Sequence, residues 1–316
     1  MNIIIFYHRE LKYQLYREDI VMKLKEYDLS NNYIYMCIND IAEFALPVEL
    51  EELNYVIFYP RQAKLIDTEK KIYNDIINIP KKKIIFIDDV HSKYHVSIDI
   101  NYLNKFDIKL MFYKYLQKKF LPELESSKII SNRHYIHDNF VHSVNNPRNI
   151  KISILGHFRH QTYKTRKYIM NNSNLINDKL INCNISVFRK SVNVNKYYNI
   201  LHNSYASIAT TGDNLEFYCP YLVAKYFEIP GCGALLLAHV LPELEEEMKD
   251  CGFIENVNYI KFTNIEDLIE KCNYVFKPEN KEEIERIRLN GYNLIINNHL
   301  ISHRQKQIIN LLNDNI

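Results

Sequence analysis

Five short runs in the first half of the chain, Asn2 to Tyr7, Tyr33 to Ile38, Tyr55 to Tyr59, Ile84 to Ile87 and Ile108 to Tyr113, are dominated by apolar, β-branched or aromatic residues. A strand wetted on one side alternates polar and apolar residues. A run apolar on both faces needs cover on both, which is the situation of a parallel strand between helices. The intervening stretches are long enough for crossover helices, and Leu11 to Tyr27 and Asp67 to Ile77 read as two of them. This half reads as one Rossmann-type α/β unit. A second series follows at Ile150 to Leu155, Ile185 to Phe188, Ala206 to Ala209, Ala234 to Leu237 and Tyr259 to Lys261, with a helix over Tyr163 to Met170 and three helical stretches from Ile265 onward. Between the two series, Asn145-Asn146-Pro147-Arg148 is turn chemistry, so the expected domains are 1–147 and 148–316.

All six glycines (Gly156, Gly212, Gly231, Gly233, Gly252, Gly291) lie in the second half. The first 155 residues therefore hold no glycine-rich phosphate loop, which disfavours a dinucleotide-binding dehydrogenase and a P-loop NTPase. Any phosphate cradle belongs to the second half. Charge points the same way: Lys151 to Lys196 carries nine Lys/Arg against one acid, Asp178, whereas residues 201–316 carry ten basic and seventeen acidic side chains. A local positive field suits an anionic ligand of modest size, although a solvated basic face has the same composition. The whole chain is near neutral at +2, with no recognised nucleic-acid motif, so a nucleic-acid partner is not expected.

The six cysteines are scattered without a C-x-x-C pair, which argues against a zinc cage and a disulfide framework. No apolar stretch approaches the ~20 residues a bilayer requires, and Met1 to His8 lacks the features of a secretory signal, so a cytoplasmic protein is expected.

The most specific run is Lys225-Tyr-Phe-Glu228-Ile-Pro-Gly231-Cys-Gly233-Ala-Leu-Leu-Leu237, followed by Pro242-Glu243-Leu244-Glu245. It resembles the C-terminal domain of the CgeB-like, spore-maturation type glycosyltransferases, in which R-x-F-E leads into a small-residue turn and a short strand. Ile152 to Gly156 with Arg159 and Thr165-Arg166 is similar to that family's strand, glycine loop and arginine, and Glu282 to His303-Arg304 to its terminal helices. The resemblance covers roughly residues 150–305. It implies a GT-B fold of two Rossmann-like domains with C-terminal helices, and transfer of a sugar from a nucleotide-diphosphate donor of UDP or GDP type. No cofactor or metal is implied, and retention of configuration is favoured through Glu228. The second domain would hold the nucleotide sugar and the first the acceptor, a glycan, glycoprotein or lipid-linked group. A catalytically silent nucleotide-binding or scaffold protein of the same fold is the alternative.

Residue by residue, the resemblance makes Glu228 the ribose acid, puts Lys225 where arginine is usual, and lines the phosphate side with Gly156, Arg159, Lys164 and Arg166. Thr211, Gly212, Asp213 and Tyr221 complete the expected nucleotide-sugar site. Two departures stand out. The first acid of the E-x7-E pattern falls on Pro220, which shifts the donor-sugar contact to Asp213 or Glu216, and lysine at 225 replaces a planar fork by a point charge. Read without the family, Glu228 is a helix residue near a glycine cap.

Asp88, Asp89 and His91 follow a strand at the edge where open α/β sheets bind ligands, and are the candidate catalytic bases. Turn chemistry explains the acidic pair equally well, and His8 after the first strand is a weaker candidate of the same kind. His134, His137, Asp138 and His142 have metal-like spacing but fall in the expected linker, so no metal site is expected. Lys109, Lys114, Lys118 and Lys119 interleave with aromatic residues. They suit a strand followed by an amphipathic helix, or peripheral contact with an anionic membrane surface.

Overall fold

The computed structural model describes residues 1–7, 19–41, 45–59, 70–87, 100–111, 121–124, 129–141, 144–156, 162–189, 193–213 and 220–313. They form two compact units, Met1–Arg133 with Ile301–Ile316, and His134–Leu300.

The first unit is built on six parallel strands, β1 (Asn2–Tyr7), β2 (Asn32–Cys37), β3 (Leu53–Tyr59), β4 (Lys82–Ile87), β5 (Ile108–Met111) and β6 (Ile129–Ser131), in the order β2-β1-β3-β4-β5-β6. Ile3, Ile4, Ile5 and Phe6 are all buried, so β1 is covered on both faces, as its sequence requires. Among the described residues its helices are α1 (Asp19–Met22), α2 (Leu24–Tyr27), α3 (Lys70–Asn78) and α4 (Ile100–Asn104). Lys109 belongs to the interior of this unit: it is fully buried in β5 and its ammonium donates to Phe106 O at 2.9 Å. It is thus unavailable to a membrane surface, and Lys114, Lys118 and Lys119 lie outside the described residues.

The second unit has five parallel strands, β7 (Ile150–Leu155), β8 (Ile185–Phe188), β9 (Ser204–Ala209), β10 (Leu235–His239) and β11 (Ile260–Phe262), in the order β11-β10-β9-β7-β8. Around them lie α5 (Lys164–Asn171), α6 (Ser173–Asn177), α7 (Val194–His202), α8 (Lys225–Gly231), α9 (Glu245–Asp250), α10 (Ile265–Val275) and α11 (Lys281–Asn298). The chain leaves β7 first to one side and then to the other, so the strand order reverses between β7 and β9. Beyond the carboxyl ends of these two strands lies the crevice in which such sheets bind ligands.

The last helix, α12 (Ile301–Asn313), belongs to the first unit: Arg304 Nε donates to Arg133 O at 3.0 Å and Gln307 Nε2 to Ser131 O at 3.3 Å. Residues 134–147 belong to the second, where Ile136 N–H donates to His299 O at 3.1 Å and the Arg288 guanidinium reaches Val144 O. The observed boundary lies at 133, where 147 is expected between 1–147 and 148–316, and the last helix crosses back to the first unit, as related enzymes lead us to expect. The Asn-Asn-Pro turn is an internal turn of the second unit.

Candidate functional site

At the carboxyl end of β7 the chain turns at Gly156 with φ +126°, a conformation that only glycine adopts without strain. A Cβ there would sit 3.2 Å from Arg166 Nη1 and 3.6 Å from Lys225 Cε, so two cationic side chains close on one backbone position. Arg166 comes from α5 and is 4% exposed. Its Nε donates to Thr210 Oγ1 at 3.1 Å, its Nη2 to Thr210 O at 3.2 Å, and its guanidinium lies 3.8 Å from the Tyr163 ring centroid. These contacts leave Nη1 turned toward Gly156.

Lys225 opens α8 and is half-buried. Its ammonium makes no hydrogen bond or ion pair among the described residues, and lies 5.4 Å from the Tyr197 ring centroid. Burial, then the neighbouring Arg166, push its pKa down to about 8, against the opposing pull of Glu228. A lysine at the positive end of a helix is also poorly placed for the backbone dipole. One turn along α8, Glu228 is buried, and burial raises its pKa despite Lys225 and the hydrogen bond from Tyr197. Tyr197 OH donates to Glu228 Oε2 at 2.5 Å. The phenol is presented by α7, whose first turn is capped by Asn193 accepting from Lys196 N–H at 2.8 Å.

The fold also buries Arg288 and half-buries Arg148, and the contrast is informative. Arg148 donates to the carbonyls of His202 at 2.9 Å, Ser204 at 2.7 Å and Cys232 at 3.1 Å, while Arg288 meets Gly233 O and the Glu285 carboxylate. Those guanidinium groups are met by protein oxygens. At Gly156, Lys225 has no such partner, and the arrangement suits an anion.

Of the residues expected in the nucleotide-sugar site, the structure brings Gly156, Arg166, Lys225 and Glu228 together. Asp213, Thr211, Tyr221 and Gly212 have structural employment. Asp213 Oδ1 accepts from Lys164 N–H at 2.6 Å and Oδ2 from Thr165 N–H at 2.7 Å, so the carboxylate caps α5 from another part of the chain. Lys164 points to solvent. Thr211 Oγ1 donates to Tyr221 O at 2.6 Å and accepts from Tyr221 N–H at 3.0 Å. The Tyr221 hydroxyl meets that of Tyr163 at 2.9 Å, which steadies the ring under Arg166. Gly212 packs so closely on Tyr221 that a Cβ would come within 2.6 Å of it. Asp88, Asp89, His91 and Arg159, with His8, Glu216 and His142, lie outside the described residues.

Sequence reasoning missed Tyr197, Tyr163 and Thr210, which hold the charged groups in place. Thr210 immediately precedes the Thr211-Gly212-Asp213 turn and was within reach of that reading; nothing in the sequence marks Tyr197 among the 25 tyrosines. Among the described residues no group of His, Cys, Asp and Glu could hold a metal ion, and no helix is long and apolar enough to cross a membrane.

A profile of the glycosyl transferase-like family matches residues 133–310, more than half of the chain and the whole of the second unit. The protein belongs to this family. No curated protein sequence matches it significantly. Among solved structures, Anabaena HepE in complex with UDP is similar at TM-score 0.67 and 9% identity, covering 99% of this chain and 100% of that one. A glycosyltransferase from Rickettsia africae is similar at TM-score 0.63 and 12% identity, covering 99% and 98%. An α-glucosyltransferase in complex with UDP-glucose and DNA containing an abasic site is similar at TM-score 0.60 and 13% identity, covering 99% of both chains. A chain of the GtfA/B complex matches 84% of this chain but only 59% of its own length. The fold of this glycosyltransferase-family protein is GT-B, with two Rossmann-like units.

Proposed function

We propose that the chain transfers a sugar from a UDP-sugar to a glycan, glycoprotein or lipid-linked acceptor, with the second unit holding the donor and the first serving the acceptor. The observation that carries this reading is the convergence of Arg166 Nη1 and the unpartnered Lys225 ammonium on Gly156, at the switch point of a parallel sheet. The donor diphosphate would lie against Gly156, with the ribose toward Glu228. Charge developing on the departing diphosphate would be met by these two cations, so the step calls for no metal. UDP is chosen over GDP because structural neighbours were solved with UDP or UDP-glucose. One of those neighbours was solved with DNA, but the near-neutral charge of this chain favours a neutral acceptor. Retention of anomeric configuration follows the Glu228 resemblance and is read from the product anomer by NMR.

Thermal shifts with UDP, GDP, ADP, CMP and their sugars provide the test, because a ligand that binds the folded state raises its melting temperature. UDP and a UDP-sugar should stabilise the wild type and leave Arg166→Ala unmoved. Absence of any nucleotide shift would remove the proposal. A catalytically silent binding protein is favoured by one observation, the full engagement of the Asp213 carboxylate by α5. It predicts nucleotide binding with neither donor hydrolysis nor transfer.

A further inference from the structure

On the flank of α7 the second unit has an open cavity of ~520 Å³, within the range of about 300–1,000 Å³ usual for small-molecule sites. One wall is the helix face carrying Asn195, Asn199 and Asn203, and the other is the segment carrying Asn139, Phe140 and Asn146. In a chain with 25% charged residues, no Lys, Arg, Asp or Glu lines it. The carboxamides of Asn139, Asn146 and Asn195 make no hydrogen bond to any described residue, whereas Asn203 Nδ2 donates to Asn199 Oδ1 at 3.0 Å. At the floor, the half-buried Phe140 stacks on Tyr198, with ring centroids 3.9 Å apart and planes 10° from parallel.

We infer that this cavity is a binding site for a neutral oligosaccharide, separate from the Gly156 site. A carboxamide offers a donor and an acceptor side by side, which matches a hydroxyl that does both. Carboxamides on two facing walls can bracket a polyol, and the rigid aromatic pair gives an apolar surface for the C–H face of a sugar ring. Apart from His202, phosphate and carboxylate ligands would find no basic side chain there, and cationic ones no acid. Tyr198 at the floor also reaches Glu228, but none of the cavity's asparagines belongs to the group around Gly156, so the sugar site does not depend on the nucleotide reading.

The test is calorimetric titration of the full chain, saturated with UDP, with maltotetraose, cellotetraose and chitotetraose, and with tetragalacturonate as the acidic counterpart. At least one neutral tetrasaccharide should bind and tetragalacturonate should not. Asn139→Ala with Asn195→Ala removes one uncommitted carboxamide from each wall, and should weaken binding by about tenfold or more while leaving the melting temperature and the UDP response unchanged. The inference is overturned if no neutral tetrasaccharide binds, if tetragalacturonate binds equally well, or if the double variant binds as the wild type does. A UDP response lost with sugar binding retained would instead count against the nucleotide reading alone.

Discussion

The Tyr197 side chain touches both members of the Lys225 and Glu228 pair: its hydroxyl donates to Glu228 Oε2 at 2.5 Å, and its ring lies 5.4 Å from the Lys225 ammonium. A side chain from α7 thus orients an acid and covers a base that stand one turn apart on α8. Tyr197→Phe separates the two tasks, keeping the ring and deleting the donor. Removing a hydrogen bond to a buried charged group costs about 1.5–3 kcal/mol, so the midpoint of urea unfolding should fall accordingly. Glu228, already raised by burial, should rise further, because the hydrogen bond that favours its ionised form is gone. Tyr197→Leu should add the loss of the ring, with a further fall in UDP affinity. Unfolding of Tyr197→Phe at the wild-type midpoint would show that the hydroxyl contributes nothing.

Lys225 sets a pH dependence. With its pKa pushed down to about 8, the ammonium loses its proton at mildly alkaline pH. A bound diphosphate favours the protonated form and raises that pKa, so binding above pH 8 takes up a proton. UDP affinity should therefore fall as pH rises through about 8, by up to about tenfold per pH unit until the raised pKa is reached. Lys225→Arg keeps the charge throughout and should flatten the profile. Titrations from pH 6.5 to 9.5 decide the point, and a wild-type profile as flat as that of the arginine variant would refute it. The same depressed pKa means that protonated Lys225 costs folding stability at neutral pH, a cost lost as pH rises toward its unfolded value. Lys225→Met should thus melt above the wild type at pH 7, by on the order of 1 kcal/mol after allowance for solvent screening, while losing UDP.

Strand positions were largely legible, because a run apolar on both faces has few other uses: β8 falls on Ile185–Phe188 as expected, and β1 on Asn2–Tyr7. β6 was missed because a three-residue edge strand embedded in polar text carries no periodicity. The division of the chain was misplaced for a different reason. A turn signal marks a change of direction, and only packing decides which body the flanking residues join, as Ile136 on His299 shows. At the site, side-chain types that suit phosphate were visible in Arg166 and Lys225, but what each acid was doing was not. Asp213 was expected at the sugar and spends both oxygens on backbone amides 48 and 49 residues away.

That capping contact makes Asp213 a stability residue. Asp213→Ala frees two N–H groups at the start of α5 and should cost about 1–2 kcal/mol, as loss of an N-cap does. Since α5 also carries Arg166, UDP affinity should fall in step with stability, and Asp213→Asn should recover part of both. A variant of wild-type stability that has lost only transfer activity would return Asp213 to the donor sugar.

Gly156 should tolerate no side chain. At φ +126° a Cβ is strained by roughly 1–3 kcal/mol, and it would also press on Arg166 Nη1 at 3.2 Å. Gly156→Ala should lose both stability and UDP binding. Gly252→Ala, also at positive φ (+81°) but pressing on Leu294, should lose stability alone. Comparable UDP affinity in the two variants, measured below their melting temperatures, would detach Gly156 from the nucleotide.

Glu228→Gln tests the ribose assignment. The substitution keeps the shape, removes the charge and turns one acceptor into a donor. Tyr197 can still donate to the remaining carbonyl oxygen, so the fold around α8 should persist. Hydrogen bonds to a charged acceptor contribute roughly 1.5–3 kcal/mol each, and UDP affinity should fall about tenfold or more. A carboxylate that binds ribose must be ionised, and burial raises the Glu228 pKa above its ordinary value. Wild-type affinity should therefore decline as pH falls through that raised pKa, and the glutamine variant, with nothing to protonate, should show no such acid limb. Because the ribose lies away from the reacting carbon, ground state and transition state lose alike, which raises the donor KM more than it lowers kcat. A 2′-deoxy or 3′-deoxy donor should cost the wild type about as much as the mutation does and cost the variant little, closing a cycle between residue and hydroxyl. Full additivity of the two losses would place the ribose elsewhere, and Glu228 would then serve only to accept from Tyr197 and to offset the nearby charge of Lys225.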